Sequence, residues 1–545
     1  MRFQGHVFVV RGDVARITCD WRVVPAGTGR DGRPGDIQSH WLSDPRLAGA
    51  IQASDWPSGA PDASRRAVVV LEPDADGSGL VVVHTGETGF EEPSWFAEPI
   101  GDVAQLVATA GSPLHARERL LVALPMLGTG GGGAGAYRAG VMSALIDAAE
   151  DAASKTGMDF VLVVKGEQSY SAAQRIRAAK RGRERWAGDL GESHARVAEE
   201  LAARARAGKL VAFIGAGLSA SAGLPTWPEL LDELGSAAGL DETQRVELSR
   251  LDARDAGVVL EGRFRGKSTT LNEALRGCFA GDARPSLGHA LVASLPISEA
   301  ATTNYDTLFE TAWEAATDEP VAVVPRDEAT GARRWLLKLH GDVGDPGGRL
   351  VLSRDQYLDF EHGSSAVAAV VQAMLLTRHL LIVGYGLTDE TFHRVAHEVR
   401  QIRGTAETRA LTLTSGSAAQ SGRLGTAFIT RRAGLFHEMW ERDLELVQLR
   451  EPGAELPAAA RQQEILLDYV GHLSARPEAY LLGAGWHHLS DHGADKRLRN
   501  KLLEIEGILE SDELTAPLAN AVEEMLLRFG HAGRQPELPF EPDPG

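Results

Sequence analysis

The sequence predicts an α/β protein: two successive domains built on parallel sheets, followed by a helical C-terminal region. Three observations predict it. Short Val- and Leu-rich runs alternate with helix-compatible segments twice, over residues 1–165 and again over 209–445, the rhythm that pairs strands in parallel through right-handed crossovers. Several of those runs end in glycine or small polar residues, as strands do when their carboxyl ends build a ligand crevice. After about residue 455 the apolar positions fall at helical rather than strand spacing.

The bounds on function come from size and charge. A chain of 545 residues has room for about three domains. Asp and Glu number 75 against 56 Lys and Arg, a formal charge of −19. Such a surface repels phosphodiester backbones and anionic lipid, so neither a nucleic-acid nor a membrane partner is expected, whereas a local basic pocket for a small anion is compatible with it. Cys19 and Cys278 are the two cysteines; two thiols build neither a disulfide framework nor a four-thiolate zinc site, which fits a reducing cytoplasm. The run Val7–Val10 is too brief for a signal-peptide core. Ala366–Leu376, broken by Gln372, reads as a buried helix, not a membrane span of about 18 apolar residues.

In chain order, the first strands are expected at His6–Val10, Arg22–Pro25, Ala67–Leu71, Leu80–His84, Leu120–Pro125 and Phe160–Val164, with a helix over Gly140–Lys155 before the last. Glu167–Arg206 reads as helical and exposed, its basic run Lys180–Arg185 a solvated face. The first domain therefore spans 1–180 and a helical linker 181–206. The second, 207–450, carries strands at Leu210–Ile214, Ala300–Thr303, Val321–Val324, Trp335–Leu339, Leu380–Val383 and Ala410–Leu413. Residues 451–532 are helical: Ile465, Leu466, Tyr469, Val470 and Leu473 share one face, as do Leu502, Leu503, Ile505 and Leu509. These helices are expected to pack on the second domain or to form an oligomer contact. Residues 533–545, with four prolines, read as a disordered tail.

The chemistry concentrates in the second domain. The strand Leu210–Ile214 runs into Gly215-Ala216-Gly217-Leu218-Ser219-Ala220, a relaxed G-x-G-x-x-A turn whose glycines admit a diphosphate to a helix N-terminus. Thr303-Asn304-Tyr305-Asp306, Lys338-Leu339-His340-Gly341-Asp342 and Gly384-Tyr385-Gly386 follow three further strands, so four loops converge on one crevice.

At these residues the segment resembles the sirtuin family, more narrowly the sirtuin-like NAD-cleaving effectors of bacterial anti-phage defence (the Thoeris-type effectors). The resemblance covers about 235 residues and implies a doubly wound NAD-binding domain. It places Ala216 and Gly217 against the pyrophosphate with Ser219 nearby. Asn304 would hold the nicotinamide ribose and an attacking water, Tyr305 and Asp306 would meet the carboxamide, and His340 would act as general base. Gly215, Thr303, Gly384 and Tyr385 complete the implied NAD-binding set, with Asn304, His340 and Asp306 catalytic. A histidine of ordinary pKa about 6.5 suits that task at neutral pH. Two departures argue against acyl-lysine chemistry: the segment has one cysteine where protein-deacylating sirtuins hold zinc with four, so no zinc is expected, and Gly223-Leu224-Pro225 continues as Thr226-Trp227 rather than Asp-Phe.

Asp13, after the first strand, and Pro125-Met-Leu-Gly128-Thr129-Gly130-Gly131-Gly132, before a helix, resemble a macro domain. That resemblance implies an ADP-ribose pocket with Asp13 on the adenine amino group and Gly128, Thr129, Gly130, Gly131 and Gly132 around the diphosphate. Pro25-Ala26-Gly27 replaces the family's Asn-Ala-Ala, so binding rather than turnover is implied. The glycine run also resembles the oxyanion loop of patatin-like lipases, but neither Ser143 nor Ser169 sits in a G-x-S-x-G elbow. In the C-terminal region His487, His488 and His492 form a histidine group in which His488 and His492, on a helix, would share a face; it reads as a solvated surface and not as a metal site.

The sequence thus predicts a cytoplasmic, homo-oligomeric NAD+ glycohydrolase with NAD+ as substrate and no other cofactor, switched on by an ADP-ribose-like signal at the first domain. The alternatives are a protein ADP-ribosyltransferase or deacylase, or a non-catalytic NAD or ADP-ribose sensor that recruits a partner.

Overall fold

The computed structural model describes residues 5–28, 34–36, 47–49, 69–71, 73, 77–85, 92–109, 113–129, 134–363, 365–387, 390–411, 423–429, 434–449, 455–490, 493–511 and 514–531. The first sheet comprises β1 (Val7–Arg11), β2 (Trp21–Thr28), β3 (Pro34–Asp36), β4 (Val69–Leu71), β5 (Gly79–His84), β6 (Leu121–Leu124) and β7 (Asp159–Val164). Its order is β1-β7-β6-β2-β5-β4, with β3 on β2. The central pairs are parallel, with Val9 opposite Leu162, while β4 and β3 pair antiparallel. The sheet is therefore mixed, not wholly parallel. Helix α1 (Arg138–Thr156) makes the crossover from β6 to β7, and both faces are covered, so β1, β6 and β7 are buried at every position.

Residues 166–206 form α2 (Gly166–Lys180), α3 (Arg183–Leu190) and α4 (Glu192–Arg206). They are helical as expected but not simply exposed. Arg183 and Arg185 face solvent, whereas Trp186 is fully buried and Arg177 and Arg181 are nearly so. Arg181 lies over the Trp186 ring and pairs with Asp189.

The second sheet consists of β8 (Leu210–Ile214), β9 (Glu299–Thr302), β10 (Ala322–Val324), β11 (Trp335–Lys338), β12 (His379–Val383), β13 (Gly425–Ile429) and β14 (Leu444–Gln448). Its order is β10-β11-β9-β8-β12-β13-β14, parallel throughout. The chain winds one way from β8 to β9 and the other way at β12, so the strand order reverses beside β8, where open α/β sheets place their ligands. Three helices pack around that reversal: α5 (Ala216–Ala220) directly after β8, α6 (Leu287–Ala293), and α7 (Leu308–Thr317) after β9. Ala366–Leu376 lies inside the helix Ser365–Thr377, with Val371 and Leu375 buried.

The strand expected at Ala410–Leu413 does not form. Ala410 and Leu411 end the helix Glu390–Leu411, whose length overrides a short apolar run, and 412–413 lie outside the described residues. The outer strands are instead β13 and β14, whose sequences GTAFI and LELVQ are short and interrupted by polar residues.

Helix α8 (Leu456–Ser474) joins the two sheets. Its predicted apolar face, Ile465, Leu466, Tyr469 and Val470, is buried in a cluster that also holds Val10, Ala198, Leu210 and Leu291. It packs on α4, α6 and β1, so it serves both domains and not the second alone. Three charged residues of α8 are buried as well. Arg461 donates twice to Asp159 (2.7 and 2.8 Å), and Glu464 accepts a bidentate pair from Arg117 (2.9 and 2.8 Å). Asp468, fully buried, receives Arg177 at both oxygens (2.9 and 2.7 Å) and lies 2.8 Å from His6 Nε2. Burial alone would raise the Asp468 carboxyl, but Arg177 and His6 hold it well below the usual carboxylate range. Burial pushes His6 down to about 4.

His487 and His488 lie in a short 3-10 turn, with His488 stacked on Tyr137, and His492 falls outside the described residues, as does the tail 533–545.

Candidate active site

Four loops meet at the carboxyl edge of the second sheet, after β8, β9, β11 and β12, around a cavity of about 470 Å³. Ala216, Gly217, Ser219, Thr303, Asn304, Tyr305, Asp306, His340, Gly384 and Tyr385 all line it. Gly215 does not; it lies behind, in the joint between two loops. A Cβ on Gly215 would sit 2.6 Å from the Gly384 carbonyl, and one on Gly384, whose φ is +67°, 2.6 Å from the Leu218 amide. The Gly215 and Gly217 amides bond to Val383 and Gly384 carbonyls (2.9 and 2.8 Å). These glycines therefore lock the β8 turn onto the β12 turn, a tighter reason for glycine than phosphate access alone.

Beneath the cavity is a buried polar set. The Ser219 hydroxyl donates to Asp306 Oδ2 (2.8 Å) and accepts from Asn304 Nδ2 (3.0 Å). The Asn304 amide donates to Thr302 Oγ1 (3.0 Å), which donates to the Ile214 carbonyl (2.9 Å). Asp306 Oδ1 accepts the Leu308 amide (3.0 Å), capping the start of α7. Both Asp306 oxygens are thus engaged within the protein, and the Tyr305 hydroxyl donates to the Val351 carbonyl (2.6 Å). The two side chains expected to meet a carboxamide line the cavity and also hold the loop. Asn304 is 8% exposed, and its Oδ1 has no partner among the described residues. That is a rare state for a buried amide oxygen in the absence of a ligand or water. His340, 5% exposed, stands across the cavity with Nδ1 3.4 Å from the Tyr357 hydroxyl.

Sequence reasoning assigns no role to Lys338, Glu310, Asp342 or Tyr357. Lys338 Nζ, wholly buried, donates to the Asp306 carbonyl (2.6 Å) and to Asp342 Oδ1 (2.9 Å), tying the loop after β9 to the loop after β11. Glu310 lies 2.6 Å from the same nitrogen, yet burial pushes its carboxyl up to about 7. A lysine inside an apolar strand run is the one signal that could have found this set. The wall also carries the apolar side chains Leu224, Trp227, Leu230 and Phe279 and the pair Asp252–Arg254 (3.0 Å).

In the first domain Asp13 and the Gly128–Thr129 turn both sit at the carboxyl edge of their sheet, after β1 and β6. Asp13 accepts the Ala15 amide (3.0 Å) and lies 3.2 Å from Lys165 Nζ. Gly128 has φ +69° and packs on Phe96, where a Cβ would be 2.1 Å from the ring. Gly130, Gly131 and Gly132 lie outside the described residues.

Residues 298–429 match the SIR2-like domain family. NAD(+) hydrolase ThsA of Enterococcus faecium is 31% identical over 203 residues, 36% of this chain and 41% of the relative. Defense-associated sirtuin 2 of Bacillus subtilis is 29% identical over 213 residues, 38% of this chain and 20% of the relative. NAD(+) hydrolase ThsA of Bacillus cereus is 28% identical over 194 residues, 34% and 39%. The chain thus spans less than half the length of the curated relatives it matches.

Proposed function

We propose that this chain, with its SIR2-like domain, is a NAD+ glycohydrolase of antiviral defence that consumes NAD+ and water and releases ADP-ribose, nicotinamide and a proton. The observation that carries the reading is the unmet Asn304 Oδ1 in a buried cavity shared with His340. Departure of nicotinamide leaves an oxocarbenium-like ribose carbon. Catalysis then needs an acceptor that holds a ribose hydroxyl or the incoming water, and a base that takes the water's proton. In this reading Asn304 takes the first task and His340 the second. Ser219, Asp306 and Lys338 are positioning residues: they fix the Asn304 amide and the two loops. The names of the matched relatives support the same substrate and the defence role.

The first domain is proposed as a macro-like reader of an ADP-ribose-type signal, supported by the position of Asp13 and Gly128 at one sheet edge and by the glycine this turn requires.

The test is product analysis with the full chain. NAD+ is supplied with and without an acetyl-lysine peptide and a panel of ADP-ribose compounds, and nicotinamide and ADP-ribose are quantified. Equimolar release without peptide is expected, reduced about 100-fold or more by His340→Ala. Nicotinamide release only with peptide would favour the deacylase instead, and NAD+ binding without turnover would favour a sensor.

A further inference from the structure

Tyr357 lines the same cavity as His340 but stands on the helix Arg354–Gly363, beyond the loop that carries His340. Its hydroxyl lies 3.4 Å from His340 Nδ1, and the two rings meet edge to face with centroids 5.1 Å apart. The surrounding chain fixes both sides of this contact. The Val351 amide donates to the His340 carbonyl (2.9 Å), and the Val351 carbonyl accepts the Tyr305 hydroxyl (2.6 Å). The segment leading into the helix, Leu350 to Ser353, is buried throughout. Gln356 Oε1 accepts the Leu352 and Ser353 amides (2.7 and 3.0 Å) as the helix begins. Arg354 makes two bonds to Asp255 (2.5 and 3.0 Å), in the first turn of the helix Ala253–Phe264. A Cβ on Gly257 of that helix would lie 2.6 Å from the Leu352 carbonyl, so the two elements touch. Tyr357 therefore meets His340 from a backbone held on two sides.

The chemistry of the base gives this contact a task. A neutral imidazole carries one proton, so a ring that takes a proton at Nε2 must hold its own at Nδ1, and the partner at Nδ1 decides which tautomer forms. A backbone amide or an ammonium at Nδ1 would impose the opposite tautomer. A carboxylate there would clamp the imidazolium and raise its pKa. A phenol hydroxyl accepts from Nδ1–H and stays uncharged at neutral pH.

We propose that Tyr357 is a positioning residue: its hydroxyl accepts the His340 Nδ1 proton and so presents the Nε2 lone pair to the water that attacks the ribose carbon. This rests on the NAD-cleaving reading. As the water's oxygen bonds to that carbon, one of its protons passes to Nε2 and from there to solvent. Nδ1 keeps its proton throughout, and its bond to Tyr357 strengthens while the ring is an imidazolium. The charged groups around the pair are otherwise held by partners of their own. Lys338 binds Asp342 (2.9 Å), Asp306 accepts from Ser219 (2.8 Å), Arg254 binds Asp252 (3.0 Å) and Arg354 binds Asp255. Removing the hydroxyl therefore alters His340 without freeing a charge.

The test compares the full native chain with Tyr357→Phe and Tyr357→Leu. In Tyr357→Phe, kcat for nicotinamide release should fall about tenfold or more, with KM for NAD+ within about twofold and the unfolding temperature unchanged. Tyr357→Leu should lose little more. The rate falls on the acid side as His340 takes a proton, and in Tyr357→Phe that limb should move to lower pH by about half a unit or more, because the lost bond favoured the imidazolium. A limb that moves to higher pH shows a hydroxyl donating to Nδ1 and overturns the proposal, as does a limb that stays in place. A native rate in Tyr357→Phe, with the loss confined to Tyr357→Leu, leaves the ring a packing role alone and also overturns it. Nitrogen NMR of the 15N-histidine-labelled chain reads the tautomer without turnover, the His340 signals being identified by their loss in His340→Gln. Nδ1 should carry the proton in the native chain and lose that preference in Tyr357→Phe; a native chain with the proton on Nε2 overturns the proposal. A chain with the expected tautomer that cleaves no NAD+ upholds the contact and refutes the NAD-cleaving reading instead.

Discussion

Asn304 and Asp468 are both buried polar side chains in the same molecule, and they differ in one respect. Asp468 has both oxygens met, by the two arms of Arg177 and by His6. Asn304 has its nitrogen held by Ser219 and its oxygen left without a partner among the described residues. A satisfied buried network over-determines geometry and holds elements together, here α8, α2 and the start of the first sheet. An unmet buried acceptor costs stability unless something else meets it, so its persistence beside a cavity points to a ligand. The difference separates what holds this protein together from what it acts with.

The largest effect on that contrast is expected at Asp468. Asp468→Ala leaves the Arg177 guanidinium buried and unpaired, which costs about 3–5 kcal/mol, so the unfolding temperature should fall sharply and activity should fall with it. A variant that unfolds like the native chain would show that α8 is not the joint between the sheets. His6, pushed down to about 4 by burial, and His472, pushed down to about 3 by burial and the nearby Arg177, probe the same network through pH. Both are neutral when folded and take a proton at about 6.5 when unfolded. Stability is therefore whole above pH 6.5 and is lost as pH falls toward 4, by about 1.4 kcal/mol per unit for each histidine. Urea titrations at pH 7, 6 and 5 should show that loss, and His6→Gln should lessen it. Next comes Gly384→Ala, which puts a Cβ against the Leu218 amide and strains a φ of +67°. It should cost about 1–3 kcal/mol and weaken NAD+ binding, because it parts the two glycine turns. The smallest effect is expected at Glu310→Gln. With its carboxyl pushed up to about 7, Glu310 loses favour in the folded state as pH rises from 4.5 to 7. The exchange should flatten stability over that window and change it by under about 1 kcal/mol at pH 5.

The active-site loops were legible because each is contiguous in sequence: a strand, then glycine or Thr-x-Asn-x-Asp. The convergence of four such loops followed from one rule about parallel sheets. The reason for the glycines was not legible, since it lies in the contact between Gly215 and Gly384, two turns far apart in the chain. The same holds for Tyr305 and Asp306, whose hydrogen bonds turn inward to Val351, Ser219 and Leu308. The apolar face of α8 could be read from its spacing, but its ionic face could not, because Arg177 and Asp468 are 291 residues apart. For that reason residues 181–206 read as a linker, while in the structure Trp186 and Ala198 share a core with both sheets. The outer strands β13 and β14 were missed because each is only five residues long and is interrupted by a polar residue, Thr426 in one and Glu445 in the other.

The decisive measurement sets Asn304→Ala beside Asp468→Ala, recording the unfolding temperature and the rate of nicotinamide release for each. Asn304→Ala should unfold within a few degrees of the native chain, since it removes an acceptor that nothing among the described residues uses and a single donated bond, Nδ2 to Ser219 Oγ, yet lose nicotinamide release almost entirely. Asp468→Ala should lose its fold first. An Asn304→Ala chain that cleaves NAD+ at the native rate, or that unfolds as readily as Asp468→Ala, would contradict the division of labour between the two side chains.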